Sequence, residues 1–324
     1  MGVSASCILG AALCLSACNM SSGGAAPDES RTSEQAQPLA GGFVTNAYGV
    51  VEVNVPLLWA KGGCTGSMIA RDTVLTAAHC FDDLNVPANA TINVNISYFD
   101  PEQGKRLVFS GTANLAKYPT YYRWGMGDDL ALVTIPGTFL DTDYHDYKRL
   151  LAPRAGNGLP GSQRFYGEGR YTADTGVPAD FQLRTHGLTV EDVATWHITT
   201  DNGDGIRTCK GDSGGPLNVV ASSPSGVEYE LVSGVLSGSD TSFSSICASE
   251  NPVPGDNSYF TRPGATTAYV SWIESALGHS CTSFEPVGNW PYLRCFDLDF
   301  VEDVEFEGNP QGLEVAMVGT IEPI

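Results

Sequence analysis

The sequence has few basic residues. It carries 17 lysines and arginines against 37 aspartates and glutamates, for a formal net charge of −20 over 324 residues. A protein that binds nucleic acid needs a basic surface to neutralise phosphates, so this balance argues against nucleic acid as a partner. It also disfavours adsorption to anionic lipid through a polybasic patch.

Long apolar runs are also scarce. After residue 20, no stretch is long and apolar enough to span a bilayer. Hydrophobic residues still make up 42% of the chain, which is enough to bury a large core and excludes wholesale disorder. The 37 glycines and 19 prolines indicate many turns, which favours a β-rich fold.

Close CxxC pairs and histidine-rich tracts are absent, so we expect no metal site and no cofactor. Three of the nine cysteines lie in the first 18 residues, and six follow downstream. The downstream six are Cys64, Cys80, Cys209, Cys247, Cys281 and Cys295. An even number of cysteines behind an apolar N-terminal segment favours three disulfides and an oxidising compartment.

The N-terminus is predicted to be a signal peptide at residues 1–17, although no Lys or Arg precedes Arg31. The residues LSAC at 15–18 resemble the bacterial lipobox, in which the cysteine is lipidated. We therefore expect a lipid anchor at Cys18, which places the protein at the cell envelope. The alternative is an ordinary signal peptide that contains a cysteine, which would make the protein secreted.

Residues 18–38 are predicted to form a flexible tether or propeptide. Positions 19–38 contain no Val, Ile, Leu or aromatic residue and are dominated by Ser, Gly, Ala, Gln and acidic residues. A segment of this composition cannot bury a core.

The remaining chain has mostly the period of two that is typical of strands. Apolar residues alternate with polar ones at 51–55 and 92–98, and the strands are short and separated by turn residues, as in sandwiches and barrels. A helical period appears at 269–277, with Gly278 as its C-terminal stop. Residues 279–324 are predicted to form a small acidic hairpin extension with its turn at 308–312, tied at its base by a Cys281–Cys295 disulfide.

Three segments contain the residue types of a nucleophilic site. They are LTAAHC at residues 75–80, DDLAL at 128–132 and CKGDSGGPL at 209–217. A serine hydroxyl is a weak nucleophile and needs an adjacent base, which a histidine oriented by a buried aspartate can provide. Glycines beside the serine permit a tight turn whose N–H groups can face a developing oxyanion.

These three motifs, in the order His, Asp, Ser, resemble the chymotrypsin/trypsin family of serine proteases over about residues 39–278. The resemblance implies an all-β fold of two packed antiparallel β-barrels with a C-terminal helix. It further implies that His79 is the general base and Asp129 orients it, with Asp128 the less favoured alternative. Ser213 would be the nucleophile, and the N–H groups of Gly211 and Ser213 would form the oxyanion hole.

The same resemblance implies two disulfides. Residues 64–67, CTGS, match the family's Cys-Gly-Gly-Ser and imply a Cys64–Cys80 bond beside the histidine, and Cys209–Cys247 would frame the specificity pocket. The strand that reads Ser-Trp-Gly in the family aligns with Leu236-Ser237-Gly238 here, so the Trp wall is lost.

The predicted pocket contains Arg207, Thr208, Gly238 and Ser258, with Arg207 on its floor. An arginine there would bind an acidic substrate side chain, so we predict cleavage after Glu or Asp. The alternatives are an Arg207 neutralised by a neighbouring aspartate, which would leave a pocket for small or apolar residues, and an Arg207 turned to solvent.

Residues 39–42, LAGG, resemble the family's Ile-Val-Gly-Gly start. We therefore expect an activating protease to cut after Pro38, so that the new ammonium of Leu39 pairs with Asp212. The overall prediction is a serine endopeptidase acting on proteins or peptides through an acyl-enzyme, with membrane contact only through Cys18. The alternatives are a non-catalytic binding module and an adhesion protein that uses the C-terminal extension.

Overall fold

A computed structural model describes residues 43–44, 49–56, 63–99, 106–121, 127–137, 147–152, 159–168, 183–201, 208–222, 228–240, 257–287 and 290–296. The chain divides into two units, residues 1–35 and 36–324, and every described residue belongs to the second. The predictions for the signal peptide, Cys18, the tether and the 308–312 turn lie outside the described residues. None of the described helices is long and apolar enough to cross a membrane.

The described elements follow one another in this order: β1 (Phe43–Val44), β2 (Val50–Asn54), β3 (Cys64–Ala70), β4 (Thr73–Thr76), a 3₁₀ helix (Ala78–Leu84), β5 (Asn89–Phe99), β6 (Arg106–Lys117), β7 (Ala131–Thr134), β8 (Arg149–Leu151), β9 (Ser162–Gly167), β10 (Arg184–Val193), β11 (His197–Asp201), β12 (Pro216–Ser222), β13 (Glu228–Ser239), β14 (Asn257–Thr261), α1 (Thr267–Leu277), β15 (Thr282–Val287) and β16 (Trp290–Arg294). Strands therefore dominate, as the short alternating segments predict.

The first barrel is closed by six antiparallel strands in the order β2-β3-β4-β7-β6-β5. Its interior is filled by side chains that alternate along the strands, among them Val51, Val53, Val94 and Ile96. The alternation predicts one buried face for β2, but both faces are buried, because Val50 on the outer face packs with Tyr166 and Leu183. That outer face is therefore part of the contact between the two barrels.

The second barrel closes through the strands β12-β9-β10-β11-β14-β13, because β12 also pairs with β13. Its interior contains a fully buried aromatic pair, Phe165 and Phe260, whose ring centroids are 5.5 Å apart. The two closed barrels and the helix after them confirm the predicted fold class.

The sheet of the second barrel continues beyond β13. Strand β8 pairs with β13 in parallel, β16 pairs with β8, and β15 pairs with β16. A disulfide joins Cys281 to Cys295 across the base of the β15–β16 hairpin, which confirms that predicted bond. The first part of the C-terminal extension is therefore built into the sheet.

Helix α1 begins two residues before the predicted helical period and ends where the sequence predicts, before Gly278. Thr266 caps the first turn by accepting a hydrogen bond from Tyr269 N, and Gly278 follows with φ 78°, a left-handed conformation that favours glycine. Tyr269 and Ile273 are its buried residues. They pack in a cluster with Leu75 of β4 and Val235 of β13, so the helix closes the space between the barrels.

Candidate active site

His79 lies in the 3₁₀ helix directly after β4, beside the disulfide that joins Cys64 to Cys80. Its Nδ1 is 2.7 Å from Oδ2 of Asp129, and its backbone N donates to Oδ1 of the same carboxylate at 2.9 Å. The imidazole is 26% exposed and the carboxylate 2%, so Asp129 is buried while part of the His79 ring is accessible to solvent.

Asp129 accepts a third hydrogen bond, from Oγ of Ser237 at 2.6 Å. Burial alone would raise the pKa of Asp129, but the nearby imidazole and these hydrogen bonds outweigh burial and lower it. The carboxylate therefore stays ionised at neutral pH, as a group that orients a histidine must.

Burial also acts on His79, where it would lower the pKa because it disfavours the imidazolium. The charge of Asp129 and the hydrogen bond from Nδ1 outweigh that effect, and the pKa of His79 is raised. This geometry suits a base that must hold a proton for part of a reaction cycle and then return it.

Ser213 lies in the loop before β12, in a conformation that needs glycine on both sides. Gly211 has φ 103° and Gly214 has φ 82°. A Cβ on Gly214 would lie 2.1 Å from Thr76 Oγ1 and 2.3 Å from Thr65 O, so only glycine fits there. This close approach brings the serine loop against the end of β4, directly before the segment that carries His79.

The carboxylate of Asp212 is buried under the same loop. Its Oδ2 accepts a hydrogen bond from Cys209 N at 2.6 Å. A Cβ on Gly167 would lie 2.1 Å from Asp212 Oδ1, so the carboxylate is packed directly against the backbone at the end of β9. Leu39, whose ammonium is predicted to reach Asp212, lies outside the described residues.

The predicted specificity pocket is described in part. The hydroxyls of Thr208 and Ser258 are 2.7 Å apart, and both residues are buried. A Cβ added at Gly238 would have no heavy atom within 4 Å, so the strand is open at that position. Arg207 lies outside the described residues.

Strand β13 contributes a serine to the site. The motif aligns Leu236-Ser237-Gly238 with the family's Ser-Trp-Gly. Leu236 is buried in the second barrel, and Ser237 donates a hydrogen bond to Asp129. The register of β13 against β14 is irregular between Leu236 and Gly238.

Two of the three predicted disulfides are confirmed, Cys64–Cys80 and Cys281–Cys295. Cys209 is disulfide-bonded, while its predicted partner Cys247 lies outside the described residues. The side chains of Cys64, His79 and Cys80 lie close enough to bind an ion, but the two sulfurs are bonded to each other and cannot act as thiolate ligands.

The sequence pattern does not predict the contacts of two residues at this site. They are Ser237, which donates to Asp129, and Thr65 of β3. The Thr65 hydroxyl donates to Gly211 O at 2.9 Å and accepts from Glu168 N at 3.0 Å. The one available signal was the threonine itself, which stands where the related motif has a glycine.

Comparison with known proteins agrees with this geometry. The sequence model of the Trypsin family matches residues 40–255, and the chain belongs to that family of serine proteases. Proproteinase E of Bos taurus is 28% identical over 245 residues, which cover 69% of this chain and 88% of the relative.

Two invertebrate relatives are similar to a comparable degree. Serine protease 1 of Drosophila melanogaster is 29% identical, covering 74% of this chain and 87% of its own length. Brachyurin of Leptuca pugilator is 25% identical, covering 66% of this chain and 88% of its own. Membership of the family supports proteins or peptides as substrates.

Proposed function

We propose that the protein is a serine endopeptidase in which His79, Asp129 and Ser213 form the catalytic triad. The observation that carries the proposal is the paired contact of Asp129 with both Nδ1 and the backbone N of His79, beside a serine loop pressed against β4. This contact fixes the imidazole orientation and leaves Nε2 as the nitrogen that can accept a proton.

The chemistry follows from these positions. His79 Nε2 takes the proton of Ser213 Oγ as the oxygen attacks the substrate carbonyl carbon, and the N–H groups of Gly211 and Ser213 stabilise the oxyanion. Collapse breaks the C–N bond, the imidazolium protonates the departing amine, and an acyl-enzyme remains. Water, deprotonated by His79, then attacks the acyl carbon; the bond from that carbon to Ser213 Oγ breaks, the imidazolium returns the proton to Oγ, and the carboxylic acid leaves.

A serine-reactive phosphonate tests the proposal. Intact mass of the mature protein should increase by one adduct, located on Ser213 by peptide mapping. Ser213→Ala should not be labelled and should lose several orders of magnitude in kcat, because only binding and oxyanion contributions remain. Undiminished hydrolysis by a folded Ser213→Ala variant would contradict the assignment.

The alternatives are a non-catalytic binding module and an adhesion protein. A binding module usually lacks a residue of the triad, and none is missing here. For adhesion, the described part of the extension is paired within the sheet through β16 and β8, which favours a structural role for that part. Absence of labelling in a folded, mature protein would favour the non-catalytic alternative.

For specificity we propose cleavage after Glu or Asp. The support is Arg207, six residues before Ser213 in the sequence, whose guanidinium stays charged and can hold a carboxylate bidentately. A basic substrate side chain would face a like charge there, which is unfavourable in a desolvated site.

A second specificity is favoured by a separate observation. The hydroxyls of Thr208 and Ser258 bond to each other and are buried, so they are already partnered before a substrate side chain arrives. That arrangement suits small or apolar side chains.

Profiling the mature enzyme with a peptide library distinguishes the two specificities. Acidic preference that falls in Arg207→Ser supports the first proposal, whereas small-residue preference that is unchanged in that variant supports the second. Efficient cleavage after Lys or Arg would contradict both.

For activation we propose a cut after Pro38 by another protease, with the ammonium of Leu39 pairing with Asp212. The support is the full burial of the Asp212 carboxylate beneath the serine loop. No cysteine lies between residues 19 and 63, so the same cut would release the enzyme from a lipid anchor at Cys18. N-terminal sequencing of active enzyme should give Leu39, and an active enzyme that still begins at Cys18 would contradict the proposal.

A further inference from the structure

Thr65 bridges the two barrels at the serine loop. It lies in β3 of the first barrel and is fully buried. Its hydroxyl donates to the carbonyl oxygen of Gly211 at 2.9 Å and accepts from the backbone N of Glu168 at 3.0 Å. Both partners belong to the second barrel or to the loop that leads into it.

The backbone of Thr65 contributes to the same bridge. Its N–H donates to the carbonyl oxygen of Ser213 at 2.8 Å, and its own carbonyl accepts from Thr76 Oγ1 at 2.8 Å. Thr65 therefore binds the carbonyl oxygens of Gly211 and Ser213 together. These are the two residues whose N–H groups are proposed to form the oxyanion hole.

The hydrogen bond from the Thr65 hydroxyl depends on a residue that the related family motif does not have. The related segment reads Cys-Gly-Gly-Ser, whereas this chain reads Cys-Thr-Gly-Ser at residues 64–67. A glycine at position 65 could supply the backbone N–H but no hydroxyl. The bond to Gly211 O and the bond from Glu168 N are therefore additional restraints on the loop.

We propose that Thr65 is a positioning residue that holds the oxyanion loop in its catalytic shape, an inference that rests on the proposed protease function. Gly211 has φ 103°, and a glycine in such a conformation has wide rotational freedom unless its peptide groups are held. The Thr65 hydroxyl fixes the Gly211 carbonyl, and the Thr65 N–H fixes the carbonyl two residues later. The intervening peptide groups, including the Ser213 N–H, are thereby restrained.

The test compares Thr65→Val with Thr65→Ser in the mature enzyme, using a peptide substrate. Valine keeps the shape and removes the hydroxyl, so kcat should fall about 10- to 100-fold with KM nearly unchanged, because loss or misplacement of an oxyanion donor acts on the transition state. Serine restores the hydroxyl and should return kcat to within about threefold of wild type.

Thr261→Val is the matched control. Thr261 is also a fully buried strand threonine, and its hydroxyl has no hydrogen-bond partner among the described residues. Its kcat should equal that of the wild type. A folded Thr65→Val enzyme with wild-type kcat would overturn the inference, and so would a change confined to KM.

Two further outcomes are decisive. If Thr65→Val does not fold, Thr65→Gly removes the hydroxyl at less steric risk, and a reduced kcat supports the inference while an unchanged kcat overturns it. A wild-type protein that neither hydrolyses peptide nor reacts with a phosphonate would overturn the proposed function and this inference with it. An active wild type with an equally active Thr65→Val overturns the inference alone.

Discussion

The first barrel closes on itself, whereas the second barrel continues through β8 and β16 to β15. His79 and Asp129 both belong to the first barrel, one just after β4 and the other just before β7. Ser213 comes from the second. The proposed base and its orienting carboxylate are thus aligned within one closed barrel, while the proposed nucleophile is aligned by contacts that cross between the barrels.

The crossing contacts are of two kinds. The polar contacts are hydrogen bonds donated in both directions. Ser237 of the second barrel donates to Asp129, and Thr65 of the first barrel donates to Gly211. Apolar ones form a cluster in which Leu75 of the first barrel meets Val235 of the second and Tyr269 of the helix. Because apolar packing has little directionality, the hydrogen bonds are the contacts that can set the angle of the loop.

Breaking the pair within the first barrel should have the largest effect. Asp129→Asn keeps the shape but removes the charge and presents an N–H to the imidazole, which favours the wrong tautomer of His79. We expect kcat to fall about 10⁴-fold with the folded structure retained. Steady-state kinetics and circular dichroism measure the two quantities, and a loss below tenfold would argue against Asp129 as the orienting group.

The segments that contain His79, Asp129 and Ser213 could be recognised from the sequence because each is a short continuous motif. Part of the signal is local, since Gly214 has φ 82°, a conformation that favours glycine. The positions of strands, though not their bounds, followed from alternation in the same way. Residues 92–98 predict a strand, and β5 runs from Asn89 to Phe99. The helix stop at Gly278 is equally local.

Thr65 and Ser237 could not be placed in this way. The two hydroxyl partners of Thr65 lie 146 and 103 residues further along the chain, and nothing near Thr65 signals them. Ser237 donates to Asp129, which lies 108 residues earlier in the chain, and it does so where the register of β13 is irregular between Leu236 and Gly238. The apolar pattern of a strand does not record such an irregularity.

The sequence pattern does not predict the β15–β16 hairpin, and proline is the reason. Each strand contains a proline, Pro286 and Pro291, and a residue without an N–H argues against a strand assignment. The pairing tolerates Pro286 through a register shift between Phe284 and Val287. The sequence predicts a hairpin further along, at residues that the structure does not describe.

Tyr292→Ala tests whether the β15–β16 hairpin stabilises the second barrel. Tyr292 is 4% exposed and packs with Leu151, Val219 and Leu231 at the junction of β16 with the second barrel. Truncating a buried aromatic typically costs about 3–5 kcal/mol, so we expect a loss of that size in the free energy of unfolding. Denaturant melts with fluorescence detection measure it.

The matched control is Trp196→Ala, since Trp196 is a large aromatic side chain that is 53% exposed. Its effect should stay within about 0.5 kcal/mol, as is usual for surface positions. An equally small effect of Tyr292→Ala would mean that the hairpin is a detachable appendage, and the second barrel would then be as self-contained as the first.

The smallest expected effect concerns the polar contact that enters the first barrel from the second. The proposed mechanism needs neutral His79, and because the pKa of His79 is raised, activity should rise with pH around a midpoint above the ordinary histidine value of about 6.5. Ser237→Ala removes a donor that stabilises the Asp129 charge, so the carboxylate should attract the imidazolium proton more strongly. The midpoint of kcat/KM should therefore move upward by less than about one pH unit, because both His79 hydrogen bonds remain. Ser110→Ala, an exposed serine of β6, should leave it in place. An unchanged midpoint in Ser237→Ala would mean that the second barrel does not tune the pair, and a downward movement would contradict the direction of the effect.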